Sequence, residues 1–443
     1  MGGAGRDGAG VDGAGRNVPG SDLPDAEVLA ETIRRQRDGD TAGALAVLER
    51  AIAAAPDVAR YHRLANELYR QVGRHVDARG AAQRVVALRP DDPTSHTELA
   101  AACGNLGDIA GMREAAERAI ALAPDLAAAH FSRGAALLAS GDFAEGWREY
   151  EWRLQLPGTA GGIPPAEWLR WDGAAMPNGR LLLFADQGRG DVIQFARYIP
   201  WVAARCPDLA ICCPREMWPI LRQFPELRLI VQHWHEAGGC NAFAPLGSLP
   251  LLIGTRLDTI PPPVKLRADP VRAAAWRARL DGLVPAGYRR IGLIWAGNSA
   301  HTADHDRSTQ LASFLKLASV DDVALVSLQK GPSQAQIGGY FGRVPLFNLG
   351  PQIHDFDDTM AVLDALDLLV SVDTGVVHLA GAMGKPTWVA LPFSADWRWL
   401  LGRDDSPWYP SVRLFRQPAP RAWVPTVARI AAALGQHTSR ATG

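Results

Sequence analysis

The sequence has few cysteines and no excess of either charge sign. Its 46 Lys and Arg residues nearly balance its 47 Asp and Glu residues, for a formal net charge of -1, so no overall field attracts nucleic acid or an anionic membrane. The cysteines form no CxxC pair, and an odd number of them without a spaced framework is typical of reduced thiols in a reducing compartment. They are Cys103, Cys206, Cys212, Cys213 and Cys240.

Long apolar segments are also missing. The first 20 residues lack the apolar centre of a secretory signal, and no apolar run approaches the roughly 18–20 residues of a membrane span. We therefore expect a cytoplasmic protein with no membrane span and no nucleic-acid partner. Residues 1–22 are expected to form a disordered, Gly-rich leader. The length of 443 residues predicts about three domains.

Residues 23–156 carry an internal repeat with a period of 34 residues. Helical sequence follows each recurring glycine and each recurring proline, so each unit is predicted to be a helix–turn–helix hairpin whose second helix ends at the proline. This pattern resembles the tetratricopeptide repeat, whose arrays form a curved solenoid that usually holds a peptide or protein partner. The recurring residues are Gly39, Gly73, Gly107 and Gly141; Pro56, Pro90 and Pro124; and the small or apolar Ala44, Ala78, Ala51, Val85 and Ala119.

Two further features of the repeats need an interpretation. His62, His96 and His130 also recur every 34 residues, but equivalent positions of stacked helices lie on the order of 10 Å apart, too far to share one ion with nitrogens near 2 Å. We therefore expect them to pack or to face a partner. In the last unit large aromatic residues replace small ones, which predicts a cap that docks the repeats on the next domain. These are Trp147, Tyr150 and Trp152.

Beyond a Gly- and Pro-rich connector at 157–179, the pattern changes to short apolar runs that alternate with helical segments. Such runs predict parallel sheets covered on both faces. Three consecutive prolines in the segment 257–270 divide them into units at 180–263 and 264–443. The predicted fold is an all-α solenoid followed by two Rossmann-like units with a cleft between them. The strand candidates are 180–185, 208–213, 228–232, 290–297, 323–329, 366–372 and 386–392.

Two turns at predicted strand ends hold candidate site residues. In DQGRGDV, the turn glycines Gly188 and Gly190 precede Asp191 at a helix start, where an aspartate can be either a helix cap or a catalytic group. In SVDTGVVH, Asp373, Thr374 and Gly375 open a helix with His378 on the same face. The free N–H groups and dipole of such a helix suit a diphosphate. The alternative is that His378 only packs against the sheet.

A polar loop follows the first strand of the second unit, and it holds Asn298, Arg307 and Ser308. The guanidinium of Arg307 suits phosphate oxygens. A metal could be held by the loop's other polar residues, but polar loops collect such residues freely, so we expect none there. The aromatic residues near the C-terminus could stack on a sugar or base, although core packing is the preferred interpretation. The metal candidates are His301, Asp304, His305 and Asp306, and the aromatic residues are Trp397, Trp399, Trp408 and Tyr409.

The motifs GDVIQFARYIP and SVDTGVVHLAGAMGKPT, in this order, resemble glycosyltransferase family 9, the lipopolysaccharide heptosyltransferase group with the GT-B fold. With the repeats, the layout is similar to bacterial tetratricopeptide-repeat glycosyltransferase-like proteins and to O-linked N-acetylglucosamine transferases. The resemblance implies transfer of a sugar from a nucleotide-diphosphate sugar to a hydroxyl, with the donor held mainly by the C-terminal unit. It implies no cofactor and no metal.

The resemblance also implies roles for individual residues. Asp191 matches the general base of the family, and the residues from Asp373 to His378 match its donor motif, with Asn298 nearby. Arg307 stands near the position where heptosyltransferases have a lysine, and the HDRS sequence here departs from that pattern. Two functions remain open: a glycosyltransferase whose repeats present a protein acceptor, or a scaffold that binds nucleotide sugars with little turnover.

Overall fold

The computed structural model describes residues 25–157, 164, 168–240, 242–299 and 304–441, with side chains described to residue 436. The predicted leader, residues 158–163 and 165–167 of the connector, and His301 lie outside the described residues. No helix in the described part of the chain combines the length and apolar character needed to cross a membrane. The cytoplasmic location stays a prediction.

Eight helices in four successive hairpins form the N-terminal part. Each hairpin turn contains one of the four glycines spaced by 34, with φ between +68° and +86°, a conformation that favours glycine because it has no Cβ. The 34-residue spacing of these glycines therefore reflects the position of the hairpin turn in each repeat. The helices are α1 (Asp25–Arg37), α2 (Thr41–Ala54), α3 (Ala59–Gln71), α4 (His75–Leu88), α5 (Pro93–Asn105), α6 (Ile109–Leu122), α7 (Ala127–Ala139) and α8 (Phe143–Tyr150).

The periodic histidines serve packing, as predicted. Nε2 of His62, His96 and His130 lies 2.8, 2.8 and 2.7 Å from the carbonyl oxygen of the proline six residues earlier. All three side chains are buried. Each buried imidazole thus gains a hydrogen-bond partner in the loop between two hairpins, as buried polar groups require.

The first sheet has five parallel strands in the order β1-β5-β2-β3-β4. Its short helices include α9, which follows β2 directly. The strands are β1 (Leu169–Arg170), β2 (Arg180–Phe184), β3 (Asp208–Cys212), β4 (Leu227–Val231) and β5 (Ala242–Pro245), and the helices are α9 (Arg189–Phe195), α10 (Ile199–Ala203), α11 (Trp218–Leu221) and α12 (Leu249–Ile253).

The second sheet has six parallel strands in the order β11-β10-β9-β6-β7-β8. The central strand β9 leads directly into α16. The strands are β6 (Arg289–Ile294), β7 (Val323–Ser327), β8 (Leu346–Asn348), β9 (Leu368–Val372), β10 (Thr387–Leu391) and β11 (Val412–Arg416), and the helices are α13 (Pro270–Leu283), α14 (Asp304–Arg307), α15 (Phe356–Asp364), α16 (Gly375–Ala382) and α17 (Trp423–Ala441).

Short 3-10 segments fill several connections. They are Glu151–Gln155, Ala196–Tyr198, Arg215–Met217, Trp234–Glu236, Leu246–Ser248, Leu311–Ser319, Pro332–Gly339, Gly350–Gln352 and Trp397–Trp399. With eight repeat helices followed by two parallel sheets, the predicted fold class is confirmed. The exact domain limits stay predictions.

The repeats are docked on the sheets through the aromatic residues of α8. Trp147 is buried, its ring lies 5.3 Å from that of Trp397, and its indole N–H donates to the carbonyl of Thr255 at 3.1 Å. Arg153 forms a buried ion pair with Asp186, 2.7 Å apart, just beyond β2. The predicted docking is therefore present for Trp147, whereas Trp152 stacks on His130 within the repeats.

Candidate active site between the two sheets

The N-termini of α9 and α16, one from each sheet, meet at the site. A Cβ atom at Gly190 would lie 2.8 Å from Cδ2 of His378 and 3.6 Å from Cα of Gly375. Only glycine fits at such a close approach without displacing the facing side chain. The structure thus brings together the two turns that the sequence singled out separately.

Asp191 is the third residue of α9, and its two oxygens have different partners. Oδ2 accepts from the backbone N–H of Gly188 at 3.0 Å, and Oδ1 lies 2.5 Å from a guanidinium nitrogen of Arg398. Asp191 therefore stabilises the first turn of α9, as the helix-cap interpretation requires. Gly188 occupies the N-cap position, and Asp191 acts from the third position of the helix. Burial raises the pKa of the Asp191 carboxyl, and the positive charge of Arg398 opposes that shift.

Arg398 is the largely buried cation of the site. Besides Asp191 it contacts Asp396 at 2.8 Å, and its Nε donates to Oε1 of Gln194 at 2.9 Å. Burial lowers the pKa of its guanidinium, but the neighbouring carboxylates Asp396, Asp191 and Asp373 raise it above the ordinary value. Arg398 therefore carries a fixed positive charge between the two helix starts.

The second turn is held by buried contacts. The indole N–H of Trp399 donates to Oδ2 of Asp373 at 2.9 Å, and burial raises the pKa of this carboxyl against the opposing charge of Arg398. Thr374 occupies the cap position of α16, with its hydroxyl 3.2 Å from that of Ser371. Since no side chain caps α16 within the described structure, backbone N–H groups of its first turn remain for an anion.

His378 is buried, and its Nδ1 lies 3.1 Å from the hydroxyl of Tyr409. Burial, together with the charges of Arg398 and Arg197, lowers its pKa well below the ordinary value, so the imidazole is neutral. When the Tyr409 hydroxyl donates its proton to Nδ1 of His378, the imidazole is the acceptor of that hydrogen bond. The imidazole proton then lies on Nε2, which faces Gly190.

These groups line a cavity of about 1320 Å³ that is bounded by both sheets and by the repeats. Asn298 and Arg307 lie on its wall, as the sequence predicted, and Nε of Arg307 is 3.3 Å from Oδ1 of Asp304. Helices α5 and α7 form the opposite wall. The cavity can therefore hold a phosphorylated ligand beside a second molecule that contacts the repeats.

Three arginine and lysine residues of the cavity, Arg189, Lys330 and Arg398, were not among the predicted site residues. Lys330 follows β7 closely and lines the cavity, and its ammonium group donates to the carbonyl of Ile353. Its place after the apolar run VALVSLQ is the signal that could have identified it, because parallel strands end at the cleft. Arg398 lies in a run of aromatic residues that indicates core packing, so its sequence context does not point to a cation at the site.

That packing interpretation is confirmed for the aromatic residues themselves. They are buried and contact one another, α8 or α16, and the most accessible of them is 7 % exposed. A stacking platform for sugar or base would need an exposed face. The buried residues are Trp397, Trp399, Trp408 and Tyr409.

Comparison with known proteins relates part of the chain to one family. Residues 343–391 match glycosyltransferase family 9 (heptosyltransferase). This segment contains Asp373, Thr374, Gly375 and His378, so the resemblance predicted from the sequence is confirmed. At the level of the family, the chain is related to glycosyltransferases.

The chain is also similar to particular known proteins. The chain is 30% identical to protein FlbA of Caulobacter vibrioides over 342 residues, which are 67% of this chain and 53% of that protein, so the chain spans about half the length of this relative. A mutant O-GlcNAc transferase from Thermobaculum terrenum aligns with 94% of this chain and 92% of its own, at 14% identity and a TM-score of 0.33. MamA from Desulfovibrio magneticus RS-1 aligns with 30% of this chain and 74% of its own, at 18% identity and a TM-score of 0.28.

Proposed function

We propose that this chain transfers a sugar from a nucleotide-diphosphate sugar to a hydroxyl group of an acceptor held against the repeats. The observation that carries the proposal is the meeting of Asp191 with the uncapped start of α16 in one cavity. One turn offers a carboxylate and the other offers donors for phosphate. Both are needed when a hydroxyl displaces a nucleoside diphosphate from a sugar.

The donor side supplies charge stabilisation without a metal. As the bond between the anomeric carbon and the phosphate oxygen breaks, negative charge grows on the diphosphate. The N–H groups of Thr374 and Gly375 and the cations Arg307 and Lys330, all at the cavity wall, would stabilise that charge. Neutral His378 would donate through Nε2 to a sugar or phosphate oxygen.

The acceptor side supplies the base. The oxygen of the acceptor hydroxyl bonds to the anomeric carbon, and Asp191 takes the proton that this hydroxyl loses. The attack comes from the face opposite the leaving diphosphate, so transfer inverts the configuration at the anomeric carbon. Its contacts with Gly188 and Arg398 occupy one position on each oxygen, and further lone pairs remain for the hydroxyl. A carboxyl whose pKa is raised by burial is also a stronger base.

The test of the base is the isosteric change Asp191→Asn. Transfer should fall by about 100-fold or more, while binding of nucleoside diphosphates, followed by calorimetry, stays nearly unchanged. Glu216→Gln is the matched control, because this half-exposed carboxylate lies at the same cavity and has no part in the proposed mechanism. Normal turnover by Asp191→Asn would reduce Asp191 to a helix-stabilising residue.

The donor site is tested separately. His378→Ala and Asp373→Ala should each weaken nucleoside diphosphate binding, and unchanged titration heats would contradict the assignment. A thermal-shift screen over nucleoside diphosphates and their sugars identifies the base and sugar, since a ligand that binds only the folded state raises the melting temperature.

A protein or peptide acceptor is proposed because α5 and α7 form a wall of the same cavity. Ala101→Glu and Ala135→Glu place a charge on that wall and should impair transfer to the acceptor more than hydrolysis of the donor. Ala110→Glu, on the exposed side of α6, is the control. The alternative function, a scaffold that binds nucleotide sugars, predicts donor binding without turnover in the unmodified chain.

A further inference from the structure

In contrast to the expectation from the sequence that this loop holds no metal, we propose that His75, His305 and Asp306 form a binding site for a transition-metal ion such as Zn²⁺. The bound ion would join the repeats to the donor-side loop. His75 begins α4, whereas His305 and Asp306 lie in α14, about 230 residues later in the chain. The fold brings one donor atom from each residue within 4.8 Å of the others.

The distances suit a shared ion. Nε2 of His75 lies 2.8 Å from Oδ1 of Asp306, and Nε2 of His305 lies 3.2 Å from Oδ2 of the same carboxylate. Tetrahedral ligands at about 2.0–2.2 Å from zinc are separated from one another by roughly 3.4 Å. Small side-chain movements are therefore enough to place all three groups around one ion.

The ligand types determine which ions fit. Two imidazoles and one carboxylate favour Zn²⁺, Co²⁺, Ni²⁺ or Cu²⁺ over Mg²⁺ and Ca²⁺, which prefer oxygen. Three protein ligands leave a fourth tetrahedral position for water.

A simple hydrogen bond between His75 and Asp306 is the competing explanation. It would account for two residues but not for the convergence of the His305 ring, whose centroid is 6.0 Å from that of His75. His75 is only 7% exposed, and its Nδ1 has no hydrogen-bond partner among the residues that the structure describes. Its imidazole therefore directs Nε2 towards Asp306, the group with which it makes its hydrogen bond.

Occupation of this site would have a mechanical consequence. Helix α14 has four residues and also carries Arg307, which lines the candidate active-site cavity. A bound ion would hold this helix against α4 and thereby position Arg307. Metal binding itself does not depend on the proposed sugar transfer.

The experiment uses the full chain without an affinity tag and with the substitutions His233→Ala and His235→Ala. These residues form a stacked pair, with ring centroids 5.4 Å apart, that could take up metal independently. Calorimetric titration with Zn²⁺ should show one ion per chain. Titration with Co²⁺ should give the intense visible absorption of a tetrahedral centre.

In this background, His75→Ala and Asp306→Asn should each weaken Zn²⁺ binding by more than the roughly 10–100-fold that is typical of outer partners of a metal site. Asp77→Asn is the matched control, since it removes an exposed carboxylate two residues from His75 and should leave binding unchanged. Where His75→Ala does not fold, His305→Ala replaces it, because this side chain is 31% exposed. Absence of saturable binding, or equal binding by the ligand variants, overturns the proposal.

Discussion

Arg398 lies beside the proposed base, and its charge determines where that base titrates. Burial raises the pKa of Asp191, Arg398 lowers it, and transfer requires the ionised carboxylate. The rate should therefore fall as pH falls through this pKa. Arg398→Gln removes the opposing charge, so the acid limb of kcat/KM should move to higher pH by about one unit.

A pH–rate profile measures this shift. Arg189→Gln removes an exposed arginine of the same turn that pairs with Glu216, and its acid limb should coincide with that of the unmodified protein. A limb that stays in place in Arg398→Gln would show that another group limits the rate.

His378 links the site to the stability of the fold. Its pKa in the folded chain is lowered well below the ordinary value, so the unfolded chain binds a proton at higher pH than the folded chain does. The stability from neutral His378 is complete above about pH 6.5 and is lost as pH falls, by about 1.4 kcal/mol per pH unit. His378→Gln should lower the number of protons taken up on unfolding by up to one, and thereby reduce the slope of the unfolding free energy against pH.

Urea unfolding between pH 7.5 and 5.5 provides the measurement, with exposed His233→Gln as a reference of equal chemistry. Equal slopes for the His378 variant and the unmodified protein would mean that His378 binds a proton as readily in the folded chain as in the unfolded chain. A neutral donor through Nε2 would then have to be abandoned.

At the scale of elements, the sequence predicted the strands that leave a local apolar pattern. All seven predicted strands are present, with ends shifted by at most three residues, because strands buried on both faces leave continuous apolar runs. The strands that were missed are short, exposed or polar at alternate positions, and such segments leave no distinct apolar run. They are β1, β5, β8 and β11.

The site residues also fall into those that a local pattern predicts and those whose contacts depend on packing. Asp191 and His378 were found because a turn motif at a strand end is a local signal. The partnership of Asp191 with Arg398 joins residues 207 apart, and that of His75 with Asp306 joins residues 231 apart. Such contacts depend on how the repeats and sheets pack, which no short pattern records.

The glycines of the repeats allow a prediction about the hairpin itself. Gly39 and Gly80 both have open space where a Cβ would be placed, but only Gly39 has a left-handed backbone, with φ at +78°. Gly39→Ala should therefore destabilise the repeats by about 1 kcal/mol. Gly80→Ala, inside α4, should stabilise them by about 1 kcal/mol because alanine favours helix.

Because the two variants are expected to change stability in opposite directions, each is the control for the other. The shift of the urea unfolding midpoint, followed by circular dichroism, measures both changes. If both variants shifted the midpoint in the same direction, backbone conformation would not explain the 34-residue spacing of the turn glycines.

At the scale of the whole molecule, the last repeat shares a hydrophobic core with both sheets. The same buried cluster contains Trp147 of α8, Leu183 of β2 and Leu379 of α16, whereas Leu48 of α2 belongs to a separate cluster in the first repeats. The last repeat should therefore support the site, and the first should not.

Trp147→Ala and Leu48→Ala distinguish these cores, since each removes a large buried side chain at a cost of about 2–5 kcal/mol. Trp147→Ala should increase hydrogen exchange in β2 and α16 as well as in α8, because its ring contacts Trp397 and its indole N–H bonds to Thr255. Leu48→Ala should increase exchange in the first repeats, from α1 to α4, and leave β2 and α16 unchanged. Exchange measured by mass spectrometry tests both. Unchanged protection of α16 in Trp147→Ala would mean that the repeats are attached to the site without stabilising it.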